Sequence, residues 1–494
     1  MLRKDGVLLP LFSLPSQQGI GCFGPECYRW IDRLEQLGIR YWQLCPLGPV
    51  GYGHSPYQSL AEGALNPLFI DVKDLINRGW LAKSKLQAFG NLSKTFVEYE
   101  KVNLVLTPLL YEAYEAFCKD SSSYQRFIEF YQTRQNDLEA YAIFSALKER
   151  FHNEPWWQWP SEYRRYQTSS VAAYASAHRR AVEFFAFLQW VLSEQWTRLH
   201  HYAHQHHVSI IGDLPIYVGE DSVSIWAHRE LFQWDALSDR PQYVAGVPPD
   251  YFSSSGQLWG NPIYNWPEME KNQFHWWIDR IEKNFNHFDL IRLDHFRGFY
   301  NYWAIPRNAP DARHGQWMPG PQHAFFQQLK KHFPTMPFIL EDLGDLNKEV
   351  RDFQKSLNLP GMAILQFAFD GENNPYLPEH WTKDTIVYTG THDNDTTRGW
   401  FEHAPESVKS ACLKLLHPTS LKANTDDVVF DLIRLACKHP APHMVIIPLQ
   451  DWLKKGPQGR INTPSTVSNS NWTWRCTSEE LATFSKNVIR VLNL

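Results

Sequence analysis

The chain has 494 residues, with 48 Lys and Arg against 53 Asp and Glu, a formal net charge of -5 and 43% hydrophobic residues. Charge this evenly spread argues against nucleic acid or a membrane surface as a partner, and the apolar content excludes a disordered chain. The aromatic share is 15%, with 21 Trp; such rings fill cores, and their flat apolar faces also complement the C–H faces of pyranoses. Taken in chain order, short apolar runs bounded by turn residues fall at 7–12, 40–45, 209–213, 289–294, 337–341, 362–367, 385–389 and 443–449. Most are too continuously hydrophobic for a sheet with one wet face and read as buried parallel strands. Eight of them, alternating with helical stretches, predict a (β/α)₈ TIM barrel spanning 1–494 as one catalytic domain, with no separate C-terminal β-domain.

The gap between the second and third runs is far longer than a barrel connection, so 75–207 is expected to be a mainly helical inserted subdomain that ends in a barrel helix. Helical spacing of Leu, Tyr, Phe and Ala marks 104–123 and 137–150, and 172–207 lacks Pro and Gly and reads as one long helix or two. A second insertion, 219–273, is rich in Pro, Gly, Ser and Trp and is expected to be a long loop over the active-site cleft. The seven Cys are scattered without a close CxxC pair, which fits a reducing compartment. The apolar stretch 6–14 contains Pro10 and is too short to span a bilayer, so a cytoplasmic location is expected.

The acids are the most informative feature. Asp213, Asp294 and Glu341 with Asp342 each end an apolar run, and Asp393 follows another closely. In a barrel all these ends converge on the carboxyl-terminal rim, where active sites sit. Any single one has a plainer reading, since acids favour turns and cap the next helix. Several together, without a thiol, Ser/His pair or phosphate loop, suit glycoside cleavage, in which one carboxylate attacks and one acid protonates the leaving oxygen. Arg292 stands two residues before Asp294, on the same side of a strand, and is expected to keep Asp294 ionised.

The segment Phe288-Asp289-Leu290-Ile291-Arg292-Leu293-Asp294-His295-Phe296-Arg297-Gly298 resembles the fourth-strand motif of the amylomaltases, the 4-α-glucanotransferases of the α-amylase clan. Further ordered matches include Ser55-Pro56-Tyr57-Gln58, Gly212-Asp213-Leu214-Pro215, Pro248-Pro249-Asp250-Tyr251-Phe252, Gln257-Leu258-Trp259-Gly260-Asn261-Pro262, Glu341-Asp342-Leu343-Gly344, Thr391-His392-Asp393-Asn394 and Asn462-Thr463-Pro464. The resemblance implies a retaining double displacement with Asp294 as nucleophile, Glu341 as general acid/base and Asp393 stabilising the transition state. It further implies that Tyr57, Asp213, Arg292 and His392 line the donor subsite. Asp250, Phe252, Gln257 and Trp259 would lie on a loop over the cleft, and Asn462 would contact sugar. Cys22, His54 and Ser465 depart from the residues usual in the family. Maltooligosaccharides and α-1,4-glucans are the implied donors and acceptors; an α-glucan hydrolase and a non-catalytic glucan-binding barrel are the alternatives.

No cofactor and no metal are expected. His200 and His204 have the i, i+4 spacing of zinc ligands, but the run 200–207 contains no acid to complete a site, so it reads as a surface helix end. The stretch 391–395 has the acids of a metal loop, yet the resemblance gives His392 and Asp393 to sugar.

Overall fold

The computed structural model describes residues 4–249, 254–344, 346–417 and 425–493. Eight parallel strands close into a barrel in chain order: β1 (Lys4–Leu8), β2 (Tyr41–Gln43), β3 (Ser209–Leu214), β4 (Leu290–Leu293), β5 (Phe338–Leu340), β6 (Gly361–Ile364), β7 (Thr385–Tyr388) and β8 (Met444–Pro448). The last strand pairs with the first, Gly6 opposite Ile446. Each strand overlaps one of the eight apolar runs. The first strand starts and ends earlier than its run because Pro10 has no N–H for a ladder, and Leu11–Ser13 turn into a 3₁₀ helix. The sixth ends at Ile364, where Leu365–Phe367 make another 3₁₀ turn.

Alternation along these strands separates two cores. Leu8, Tyr41, Ile211, Ile339, Met362, Ile364, Ile386, Tyr388 and Ile446 fill the barrel interior. Their out-of-phase neighbours, among them Val7, Trp42, Ile210, Ile291, Leu340, Val387 and Val445, pack outward against the helices. The same period of two positions the acids. Asp213 follows Ile211 and Glu341 follows Ile339 on the inward face, whereas Asp342 falls on the outward face and accepts a hydrogen bond from the N–H of Met362 on β6 at 2.7 Å. Gly361 leaves the space that carboxylate needs, since a Cβ there would lie 2.3 Å from Asp342 Oδ2.

Between β2 and β3 lie α1 (Tyr99–Phe117), α2 (Ser121–Arg150), α3 (Ser169–Ala177) and α4 (Arg179–Gln205). The helix expected at 104–123 instead stops at Phe117, because the Asp120 side chain accepts from the Ser123 N–H and starts α2. The stretch 172–207 is broken at His178, whose φ of -116° and ψ of 37° leave the helical region. On α4 the buried side chains of Gln189 and Gln195 satisfy backbone groups of Leu65 and Asp71, binding the helix to the segment that leads out of β2.

The stretch 219–273 is more ordered than its composition suggests. Tyr243–Val247 and Gln257–Pro262 join Asn301–Pro306 and Gln316–Pro319 in a four-stranded antiparallel sheet. The glycines that hid these strands are structural requirements: at Gly246, beside a register shift, a Cβ would lie 2.1 Å from the Gln257 carbonyl oxygen. Among the described residues no helix is long and apolar enough to cross a membrane.

Candidate active site

β3, β4 and β5 are adjacent and in register, with Asp213 opposite Arg292 and Arg292 opposite Ile339. This places the Arg292 guanidinium, 3% exposed, at the centre of the acids. Its Nη1 donates to Asp213 Oδ1 and Oδ2 at 2.7 and 2.8 Å and to Asp294 Oδ1 at 3.1 Å, and its Nη2 lies 3.9 Å from Glu341 Oε2. A buried cation shared by three carboxylates avoids the desolvation penalty of an unpaired charge. The Tyr57 hydroxyl donates to Asp213 Oδ2 at 2.7 Å, and its ring stacks on His392 with centroids 5.1 Å apart.

Glu341 is held by the main chain, its Oε2 accepting from the N–H of His295 at 2.6 Å and its Oε1 from that of Leu343 at 3.3 Å. Burial pushes the Glu341 carboxyl up to about 8, with Arg292 opposing and Asp294 adding to the rise. Burial also raises Asp294, to about 6, against Arg292 and with help from Asp213 and Asp393. Arg292 therefore opposes the rise and favours the ionised form of Asp294, as the sequence led us to expect, although burial still leaves the carboxyl above the usual carboxylate range. The order of the two follows from geometry: the guanidinium is 3.1 Å from Asp294 and 3.9 Å from Glu341, which favours the charged form at Asp294 and makes Glu341 the more readily protonated of the two.

Asp393 faces this pair from the end of β7. Burial pushes its carboxyl up, but the neighbouring His392 charge and hydrogen bond, then the Asn462 bond, pull it down to about 2. His392 Nε2 lies 3.4 Å from Asp393 Oδ2. Asn462 Nδ2 donates to Asp393 Oδ1 at 2.6 Å, and Arg460 Nη2 donates to the Asp393 carbonyl at 2.7 Å. Asn462 thus orients Asp393, a contact the sequence did not suggest. The turn at 391–395 is closed internally: Thr391 donates its N–H and hydroxyl to Asn394 Oδ1.

Trp259 stands over His295, the residue after Asp294, edge to face with centroids 4.9 Å apart, and its indole N–H donates to Gln257 Oε1 at 3.0 Å. Asp250 and Phe252 lie outside the described residues. Three contributors escaped the sequence reading. Arg460 sits two residues before the matched Asn462, and that spacing was its only signal. Trp472, whose ring lies 5.6 Å from that of Tyr57 and 5.8 Å from that of His392, belongs to a Ser/Asn/Thr-rich stretch without pattern. The His295 N–H acts through backbone, which side-chain identity does not report; its residue has a φ of 47°. Of the family departures, Cys22 is buried with its thiol pushed up to about 12, by burial first and then by Asp71, and His54 stacks on Tyr99 at 4.3 Å.

A closed parallel barrel with acids, a central arginine and aromatic rings gathered at its carboxyl-terminal rim defines a (β/α)₈-barrel enzyme. The sequence profile described as 4-alpha-glucanotransferase matches residues 9–481. A 4-alpha-glucanotransferase of Thermus thermophilus is 40% identical over 486 residues, covering 97% of this chain and 96% of that protein. One from Clostridium butyricum is 38% identical over 468 residues, 94% of each chain. The solved structure of the amylomaltase from Streptococcus agalactiae in complex with acarbose superposes with a TM-score of 0.93 at 33% identity, covering 99% of both chains. The chain belongs to the 4-alpha-glucanotransferase family.

Proposed function

We propose that this enzyme transfers α-1,4-glucan segments between maltooligosaccharides by a retaining double displacement at Asp294. The observation that carries the reading is the pair of buried carboxyls sharing Arg292, with Glu341 at about 8 and Asp294 at about 6. Such a split provides an acid and a carboxylate side by side at neutral pH. Asp294 attacks the anomeric carbon while Glu341 gives its proton to the departing glycosidic oxygen, leaving an ester on Asp294 and a carboxylate at Glu341. That carboxylate then takes the proton of the acceptor 4-hydroxyl as its oxygen displaces Asp294, and the enzyme returns to its starting state. Asp393, oriented by Asn462 and beside His392, holds donor hydroxyls and offsets the positive charge that develops at the anomeric carbon. Tyr57, Asp213 and Arg292 complete that subsite, while Gln257 and Trp259 lie over the cleft.

The enzyme's setting in this reading is the cytoplasm; its seven free cysteines, six of them buried, support a reducing compartment. The residues at the centre suffice for this chemistry without a bound cofactor.

Transfer competes with water at ~55 M, so it prevails through an acceptor held in near-attack geometry, where effective molarities reach ~10⁵ M or more. Pure maltotriose should therefore give glucose and a ladder of longer maltooligosaccharides with almost no net gain in reducing ends. Steady growth of reducing ends with nothing longer than the trisaccharide would identify a hydrolase instead. A chain that binds the sugar and leaves it unchanged would be a binding barrel.

The two carboxyls also set the pH profile. Asp294 must be ionised, so kcat/KM should fall as pH drops through about 6. Glu341 must carry its proton, so kcat/KM should fall again as pH rises through about 8. In Glu341→Gln the alkaline limb should disappear while the acid limb remains; a profile that keeps both limbs would assign the upper one elsewhere.

A further inference from the structure

The acid that the histidine run 200–207 lacks in sequence is supplied by the fold. Asp289, immediately before β4, packs beneath the last turns of α4, where His200 and His204 project from one face. We propose that His200, His204 and Asp289 form a site for one divalent transition-metal ion of the zinc class at the amino-terminal end of the barrel. Asp294 closes the opposite end of the same strand, five residues on and roughly 16 Å away at strand spacing, so the site is separate from the sugar-binding rim.

One candidate ligand atom from each of the three residues lies within 4.8 Å of the other two. Asp289 Oδ1 is 2.6 Å from His204 Nε2 and 3.3 Å from His200 Nε2. Ligand nitrogens and oxygens about 2.0–2.1 Å from a tetrahedral zinc stand about 3.3–3.5 Å from one another, so the second separation already fits and the first needs a small side-chain rotation.

Two further features distinguish this group from an ordinary ion pair at a helix end. His200 Nε2 is buried and makes no well-directed hydrogen bond, its contact with Asp289 Oδ1 at 3.3 Å being to an oxygen that also meets His204 at 2.6 Å. A His204–Asp289 pair leaves His200 with a second, poorly directed claim on the same oxygen; a shared metal accommodates both imidazoles and the carboxylate. Asp289 is also fixed by its surroundings, as metal ligands are: its Oδ2 accepts from the Ile210 N–H at 2.7 Å, and its own N–H donates to the Ile210 carbonyl at 2.9 Å. The Trp196 ring stacks on His200, 6.1 Å between centroids and 12° between planes. His204 is half exposed and provides entry from solvent, with the fourth position left to water. Two imidazoles and one carboxylate select zinc, cobalt or nickel over magnesium or calcium. Bound there, the ion ties α4 to β3 and β4.

The test uses the full chain after chelator treatment and dialysis, titrated with Zn²⁺ in a calorimeter and with Co²⁺ in the visible range. One saturable Zn²⁺ site of micromolar affinity or tighter, four-coordinate cobalt bands and a rise in Tm with Zn²⁺ are expected. His204→Gln, at a half-exposed position that the fold tolerates, should weaken binding by at least ~10–100-fold and abolish the Tm rise, and His200→Gln should do the same. Disproportionation of maltotriose should be equal in the wild type and both variants. Absence of saturable Zn²⁺ binding, or affinity and Tm response unchanged in His204→Gln, overturns the proposal.

Discussion

Asp294→Asn should lower glucan transfer at least ~10⁴-fold, the scale on which enzymes respond to loss of a nucleophile, while oligosaccharide binding measured by calorimetry stays within a few-fold of wild type. The amide keeps the size of the side chain, and Arg292 retains its two bonds to Asp213 at 2.7 and 2.8 Å, so the donor subsite should stay assembled. Stability should not suffer. Burial raises the Asp294 pKa to about 6, which means that the ionised form is favoured less in the folded chain than in the unfolded one. An acid with a raised folded pKa contributes most below its unfolded value and loses that contribution as pH climbs through the folded one, so at pH 7 the neutral amide should hold Tm steady or raise it. Loss of activity with a lower Tm and lost binding would point to a structural role instead.

Glu341→Gln should lower transfer from maltooligosaccharides by ~10²–10⁴-fold, the range for removing a general acid. The deficit should shrink for the first step when the donor is α-maltosyl fluoride, because fluoride departs without a proton. The second step still lacks its base, so the glycosyl-enzyme should accumulate. An equal deficit on both donors would mean that Glu341 acts through the position of Arg292 or His295 and not through its proton.

The barrel and much of its rim were legible in the sequence because burial on both faces leaves a simple signature. Eight continuous apolar runs each became a strand, and acids at their ends followed the alternation that brings Asp213, Arg292, Asp294 and Glu341 inward. Strand ends were less legible, since Pro10 and the 3₁₀ turn after Ile364 act through backbone geometry. The four-stranded sheet around Tyr243–Val247 escaped detection because its strands are short, paired across separate stretches of chain and interrupted by glycine. At the site, side-chain types were readable but their partners were not. The resemblance marked Asn462 but not its bond to Asp393, and the N–H groups that hold Glu341 carry no sequence signal. Likewise, Asp289 is far in sequence from the histidines it meets, which only the packing of α4 beneath β4 reveals.

The central claim is that the transferred glucan is carried on Asp294. Its most direct test is mass spectrometry of the Glu341→Gln enzyme after incubation with α-maltosyl fluoride, with the protein digested and the adduct mapped. A single maltosyl gain on the peptide that contains Asp294, discharged only slowly when maltose is added because the base is missing, and then yielding an α-linked product, is the result this account predicts. No adduct during turnover, an adduct on another carboxylate, or a product of inverted configuration would contradict it.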